Sequence, residues 1–298
     1  MSNTIHYNNC PACSGADIEF VLKAKDETVS HDYFEIWQCN NCTLRFTQDV
    51  PDEESIGRYY QSSEYISHSN TSKGMVNKLY HAVRSVTLQT KRKLVEKYSG
   101  IKGGNLLDIG AGTGAFAAAM KNAGWHVTGL EPDETARANA QKDFNIELQP
   151  TENLFNLNRE SFDAITLWHV LEHVHRMHEY LDAFHTLLKP GGTLIIAVPN
   201  YTSYDAKIYN ANWAAYDVPR HLYHFSPASM QKLLSAHQFT PAGNKPMWFD
   251  SFYVSLLSEK YTSGKSNFIK AFFNGLRSNR KALQNASNCS SVTYIAKK

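Results

Sequence analysis

A short apolar run, Asn105-Leu106-Leu107-Asp108-Ile109, passes directly into Gly110-Ala111-Gly112-Thr113-Gly114 and then into an alanine-rich stretch that stops at Asn122-Ala123-Gly124. The pattern reads as strand, glycine turn and helix, the opening unit of an α/β sheet. Such a turn lets backbone N–H groups approach a bound nucleotide closely. The glycines decide nothing alone, because Gly110, Gly112 and Ala115 also fit the dinucleotide spacing with alanine in its last place. Asp108 separates the alternatives. A carboxylate at the mouth of the strand repels a pyrophosphate but suits a ligand carrying an ammonium and a sulfonium.

The α/β pattern continues downstream. Trp125 to Leu130 reads as a second strand ending in Glu131, an acid placed to accept ribose hydroxyls; NAD sites share that feature. Ile146-Glu147-Leu148 is a third strand, and Ser161-Phe162-Asp163 leads into a fourth, Ala164 to Leu167, whose end carries Trp168 and His169. Leu187 to Ala197 reads as a helix end, a proline–glycine turn and a buried strand.

On these residues the chain resembles the class I S-adenosylmethionine-dependent methyltransferases. Asp108 to Gly114 matches their glycine-rich motif, Glu131 their ribose acid, and Lys189 to Gly192 the turn before their fifth strand; Ser291 to Ala296 fits their final antiparallel strand. The resemblance implies a Rossmann-like fold with a mostly parallel seven-stranded sheet whose last strand is antiparallel. It implies S-adenosylmethionine bound by Asp108, Gly110, Gly112, Gly114 and Glu131, with Glu152 or Asn153 along the adenine edge and His169 beside the cofactor. His169-Val-Leu-Glu172-His173 also matches a zinc-peptidase pattern, but it follows a short buried strand rather than lying on a long helix. The ubiquinone-type O-methyltransferases resemble this segment but carry Glu where His169 stands, which puts their divalent-cation site in doubt here. Glu172 and His173 are expected to orient the helix, and His175, His178 and His185 to form a polar helix face.

Of five cysteines, four form the pairs Cys10-Pro-Ala-Cys13 and Cys39-Asn-Asn-Cys42. Two such knuckles can place four thiolates on one structural Zn²⁺. Tyr33 to Gln38 and Leu44 to Thr47 read as the strands of a zinc-ribbon hairpin, a module too small to be stable on its apolar core alone. With no apolar signal core, a reducing cytoplasmic location is expected and disulfides are disfavoured. Cys289 reads as an ordinary thiol. Pro51 to Glu54 suits a first helical turn, and Leu79, Val83, Val86 and Leu94 suggest the packed stripe of a helix from Met75 to Tyr98, ended by Ser99-Gly100. This region is rich in cations, including Lys73, Lys78, Arg84 and Lys91, read as a solvated face. The expected organisation is therefore a zinc ribbon over 1–50, a helical connector over 51–103 and a methyltransferase domain over 104–298, with a lid insertion at 201–225.

The lid is dense in aromatics and holds Asp217-Val-Pro-Arg220-His221-Leu-Tyr-His224, followed by Ser226-Pro227, a helix N-cap with proline in the first turn. Tyr216, Tyr223 and Arg220 are the expected substrate contacts, Arg220 gripping an anionic group. For a hydroxyl acceptor, His221 and His224, then His169, are the expected bases. The acceptor is expected to be a small molecule or sugar-type metabolite, with the methyl moving to O, N or C in an SN2 displacement. An RNA-modifying enzyme is the alternative, opposed by the acids between the two knuckles and by a net charge of only +2. A nicotinamide oxidoreductase and a non-catalytic cofactor-binding scaffold rank lower. No membrane partner is expected, since no run reaches the roughly 18 apolar residues of a spanning helix.

Overall fold

In the computed structural model, which describes residues 3–61 and 75–298, the chain runs through thirteen described strands. The ribbon comprises β1 (Thr4–Ile5), β2 (Ile18–Lys25), β3 (Tyr33–Cys39), β4 (Arg45–Thr47) and β5 (Val50–Pro51). Pro51 ends a strand pair with β1 rather than opening a helix, and a 3₁₀ turn, Ile56–Tyr60, follows. Helix α1 (Met75–Ser99) then leads into β6 (Asn105–Ile109), α2 (Ala115–Asn122), β7 (His126–Leu130), α3 (Glu134–Phe144), β8 (Leu148–Gln149) and β9 (Phe162–Trp168).

After β9 come α4 (Met177–Leu187), β10 (Leu188–Pro199), α5 (Tyr204–Tyr209), β11 (Tyr223–His224), α6 (Pro227–Ala236), β12 (Thr240–Pro246), α7 (Asp250–Ser263), α8 (Phe268–Gln284) and β13 (Ser291–Lys297). The main sheet has the order β12-β13-β10-β9-β6-β7-β8. β10, β9, β6, β7 and β8 are mutually parallel, and β13 runs antiparallel to both β10 and β12. This is the class I methyltransferase arrangement. Leu107, Ile109, Ile165, Leu167, Leu194 and Ile196 are fully buried, which is why these strands read as apolar runs.

Helix α1 occupies its expected span but turns another face inward. Val86 is 54% exposed, and Leu88, Leu94, Val95 and Tyr98 pack against β6 and the helix after it. Lys73 and the side chains of Lys78 and Leu79 lie outside the described residues.

The ribbon is not a bead on a string. β11, from the lid, pairs antiparallel with β4 and completes a four-stranded sheet of order β11-β4-β3-β2. The knuckle residues Cys10, Cys39 and Cys42, with Leu44 and Phe46, share one apolar core with Leu222, Phe225 and Met230. Polar side chains sew the same seam. Tyr201 Oη donates to Thr43 O at 2.6 Å, and Thr47 Oγ1 donates to His221 O at 2.8 Å. The histidines expected on a polar helix face also join it: His175 Nε2 lies 2.9 Å from Pro51 O, and His178 Nε2 2.8 Å from Pro11 O.

Candidate functional site

The site forms beyond the carboxyl ends of β6, β7 and β9, where open α/β sheets bind ligands. Gly110 and Gly112 have φ of +65° and +55°. A Cβ on Gly110 would overlap Val170 Cγ2, whereas one on Gly112 would meet no atom of the described residues within 4 Å. Gly112 thus faces an open side of the turn, a cradle that no described side chain closes. Its N–H donates to Glu131 Oε2 at 2.7 Å, while Asp133 N donates to Oε1 at 3.1 Å. These bonds hold the carboxylate at the end of β7, and burial raises its pKa.

Asp108 is buried and accepts a hydrogen bond from Thr166 Oγ1 of β9 at 2.7 Å. Desolvation lifts its pKa to about 7, opposed by the Thr166 bond and by Lys91. Lys91 reaches in from α1, its Nζ 4.4 Å from the centre of the Trp168 ring. Burial lowers its pKa to about 8, against the pull of Asp108 and Asp250. Arg84, two turns earlier, brings Nη2 to 3.5 Å from Thr113 Oγ1 in the glycine turn. So two cations read as part of a solvated face point inward. Asp108 is therefore a buried carboxylate that a neighbouring cation stabilises, which fits the donor chemistry read from the sequence.

His169 ends β9 with φ of +60°, a conformation that costs a non-glycine residue about 1–3 kcal/mol. Its backbone N–H donates to Ala197 O, its Nε2 lies 2.9 Å from Asp250 Oδ2, and its Nδ1 lies 3.3 Å from Glu172 Oε1. Burial disfavours the imidazolium, but the two carboxylates outweigh it and raise the pKa to about 10. His169 is thus protonated at neutral pH and cannot begin a cycle as a base.

Glu172 is fully buried within a 3₁₀ turn, Leu171–His173, not on a helix. His173 Nδ1 is 3.0 Å from Arg220 O, and burial lowers the pKa of this ring to about 4, so it is neutral with Nδ1 as donor. His221 Nδ1 donates to Ala215 O at 2.9 Å, and its Nε2 lies 3.9 Å from Asp217 Oδ2. The two rings stand edge to face at 4.6 Å.

The other lid residues do structural work. Arg220 is 2% exposed, paired with Asp217 at 2.6 Å and Asp26 at 3.3 Å, and donates to Tyr59 O. Its donors are engaged within the protein, which argues against its gripping a substrate. Tyr216 Oη accepts from Arg45 Nη1 at 2.8 Å, and Tyr223 Oη donates to His175 O at 3.3 Å. His224 is buried with Nε2 3.1 Å from Thr47 Oγ1, and burial drives its pKa well down. All three lie in the ribbon–lid seam. Glu152 is exposed on the 3₁₀ turn after β8, and Asn153 Nδ2 donates to Gln149 Oε1 at 3.2 Å.

The four cysteine sulfurs lie within 4.8 Å of one another, with Cys10–Cys42 at 3.5 Å and Cys13–Cys39 at 3.6 Å. Four sulfurs about 2.3 Å from one ion stand close to these separations. The Cys10 hydrogen bond lowers Cys42 to about 5, and the same bond pushes Cys10 up, so the four cannot all ionise without a cation among them. Cys289 is buried apart from them.

The family profile described as a methyltransferase domain matches residues 81–242, more than half of the chain. The ubiquinone biosynthesis O-methyltransferase of Actinobacillus pleuropneumoniae serotype 5b is 32% identical over 143 residues, 44% of this chain and 61% of that enzyme. The same-named enzyme of Aeromonas salmonicida is 29% identical over 187 residues, covering 58% of this chain and 76% of the relative. The match to the first of these therefore spans less than two thirds of its length. Among solved structures, a SAM-dependent methyltransferase from Archaeoglobus fulgidus superposes with a TM-score of 0.50 at 19% identity, covering 72% of this chain and 94% of its own. A putative sarcosine dimethylglycine methyltransferase from Galdieria sulphuraria gives 0.52 at 15% identity, covering 72% and 88%. With the sheet order, the glycine cradle and Glu131 in place, the chain belongs to the S-adenosylmethionine-dependent methyltransferases.

Proposed function

We propose that this enzyme methylates a small molecule or sugar-type metabolite at a hydroxyl. The observation that carries the donor assignment is the pairing of the Gly112 cradle with the Glu131 carboxylate, beside a buried Asp108 that favours a cation. Bound S-adenosylmethionine supplies an electrophilic methyl group on sulfur. Asp108 and the glycine turn hold the amino-acid end of that donor, Glu131 the ribose hydroxyls, and Asn153 or Glu152 the adenine edge. Trp168 and Phe116, edge to face at 5.4 Å, wall the hollow and exclude water. Holding the acceptor in line with the methyl carbon contributes much of the acceleration. The ubiquinone-enzyme relatives, named as O-methyltransferases, favour an oxygen acceptor.

For that acceptor His221 is the base we favour among the three histidines, since its Nδ1 is anchored on Ala215 O and its Nε2 lies 3.9 Å from Asp217 Oδ2, outside hydrogen-bond reach, while His169 is protonated and His224 is engaged in the seam. His169, fixed between Asp250 and Glu172, orients the acceptor and balances the charge beside it. The four cysteines hold a structural Zn²⁺, and the division into ribbon 1–50, connector 51–103 and catalytic domain 104–298 is our working organisation. The RNA alternative loses support because Arg84 and Lys91 turn toward the site and Arg92 pairs with Glu96 at 2.6 Å.

Calorimetry of the wild type with S-adenosylmethionine, beside Asp108→Ala and Glu131→Ala, tests the donor site; tight uptake of NAD(H) with no response to the methyl donor overturns it. Methyl transfer from labelled donor into fractionated metabolite pools, against none into RNA, tests the acceptor class.

A further inference from the structure

Helix α8 is built the wrong way round for a helix whose apolar side chains fill a core. Its buried positions are Ala271, Asn274, Gly275, Ser278 and Ala282. That small, polar face is anchored firmly: Ser278 Oγ donates to Asp205 Oδ1 at 2.6 Å, and Asn274 Nδ2 to Tyr209 Oη at 2.9 Å. Gly275 lets α7 approach so closely that a Cβ there would lie 2.7 Å from Phe252 Cδ1. The helix is therefore fixed in an orientation that turns its large side chains outward. Phe268, Ile269 and Leu283 are 71%, 73% and 75% exposed, and Phe272, Phe273 and Leu276 about half exposed. At 3.6 residues per turn all six fall within about 140° of the helix circumference, with Phe268 bordering the packed face.

The patch continues onto α7. Phe252 stacks on Phe272 at 5.6 Å, and Asn279 Nδ2 donates to the carbonyl of Trp248, itself partly exposed beside Phe249. Isolated exposed apolar residues need no explanation, but a contiguous group of this kind marks an interaction surface.

Charge says what covers it. From Lys260 to Lys298 there are eight basic and no acidic side chains, in a chain whose net charge is +2. Lys265, Arg277, Arg280 and Lys281 are exposed on α8 or just before it, while Lys270 is paired with the buried Glu259 of α7 at 3.1 Å. Two copies meeting through this face would bring those cations together. An aromatic and aliphatic stripe rimmed by Lys and Arg matches the boundary between anionic headgroups and acyl chains. We propose that α8 is a peripheral membrane-binding helix, its apolar face seated in the surface of an anionic lipid bilayer. This binding lies on the bilayer and spans nothing; among the described residues no helix is long and apolar enough to cross a membrane. Because α7 begins at Asp250, the partner of His169, the same surface adjoins the element that reaches the catalytic hollow.

The test is cosedimentation of the full chain with vesicles of phosphatidylcholine alone and of phosphatidylcholine mixed with phosphatidylglycerol. Binding to the mixed vesicles that weakens with salt, and little binding to the neutral ones, is the expected result. Replacing Phe268, Ile269 and Leu283 together by Ser should abolish it while melting temperature and donor affinity stay unchanged, since all three project into solvent. Replacing Arg277, Arg280 and Lys281 by Gln should weaken partitioning on the order of a hundred-fold, at about five-fold per cation near such a surface. Absence of binding to anionic vesicles at low salt overturns the proposal. So does a serine variant that still binds, or one that only converts a dimer to a monomer, which would assign the face to a second copy of the chain.

Discussion

Alanine at Gly110 and alanine at Gly112 should fail in opposite ways, because the two glycines share a backbone conformation but not a neighbourhood. Both have positive φ, +65° and +55°, so either alanine pays about 1–2 kcal/mol for its Cβ in the left-handed region. At Gly110 the new methyl also overlaps Val170 Cγ2 and lies 3.3 Å from Cγ1, and such overpacking costs about 1–3 kcal/mol more. Gly110→Ala should therefore lose about 2–5 kcal/mol, and Gly112→Ala only about 1–2 kcal/mol. Donor binding should show the reverse bias, since the Gly112 methyl enters the open cradle beside the N–H that meets Glu131. Urea denaturation of both variants gives the first comparison and calorimetry with S-adenosylmethionine the second. Adding Val170→Ala to Gly110→Ala should recover the overlap part of the loss but not the φ part, a coupling of about 1–3 kcal/mol in a double-mutant cycle. Equal destabilisation by the two alanines, or no coupling to Val170, would show that the turn is not shaped by this contact.

Glu131→Gln removes the charge and leaves one oxygen for the two backbone amides of Gly112 and Asp133, so donor affinity should fall about ten- to a hundred-fold, from the 1.5–3 kcal/mol of charged hydrogen bonds, and the lost acceptor should cost stability by about 1–3 kcal/mol in urea denaturation. Asp108 has a folded pKa raised to about 7, so its stabilising share is full below the unfolded value near 4 and is lost as pH rises through 7. Asp108→Asn should thus gain on the wild type by up to about 4 kcal/mol between pH 4 and 8 in urea titrations, while wild-type donor affinity climbs over the same interval; parallel stability curves would refute this. Arg220→Ala leaves Asp217 and Asp26 without their cation and should destabilise by about 3–5 kcal/mol; a raised KM at unchanged melting temperature would restore Arg220 as a substrate contact. Cys39→Ser should abolish zinc uptake, measured by elemental analysis against the wild type, and lower both melting temperature and turnover; a loss of zinc uptake that leaves turnover intact would separate the ribbon from the lid.

What the sequence revealed and what it hid follow one physical line. Motifs whose chemistry is local were legible: the glycine turn, Glu131 at a strand end, the paired cysteines, and the Ser226 cap, which the structure completes as a capping box with Ser229. Groups brought together across the fold were not. Asp250 stands in a stretch that carried no motif, yet it holds His169 from 81 positions away. Lys91 belongs to a stripe with Arg84, Leu88 and Val95, visible as a 4-3-4 spacing, but it was masked by the surrounding cations. The lid residues Arg220, Tyr216, Tyr223 and His224 have the right chemistry for a substrate wall, and only their partners on the ribbon, Asp26, Arg45 and Thr47, reveal the other use. The span from Thr240 to Gln284 carried no motif at all.

The ribbon–lid seam gives the cysteine cluster a consequence beyond its own stability. β4 leaves the second knuckle at Cys42 and pairs with β11, and the residues just before β11 are His221, next to His173, and Arg220, whose carbonyl fixes the His173 ring. Thr47 O–H and the Thr47 amide both bond this stretch, at His221 O and Leu222 O. Only a few residues of hydrogen-bonded strand therefore separate four thiolates from the imidazole favoured as base. A metal that closes the knuckles fixes the register of β4, and β4 fixes where His221 stands. A small module that shares its apolar core with the lid can in this way hold the lid in place, and ligand bonds would add to that burial once a metal closes the knuckles.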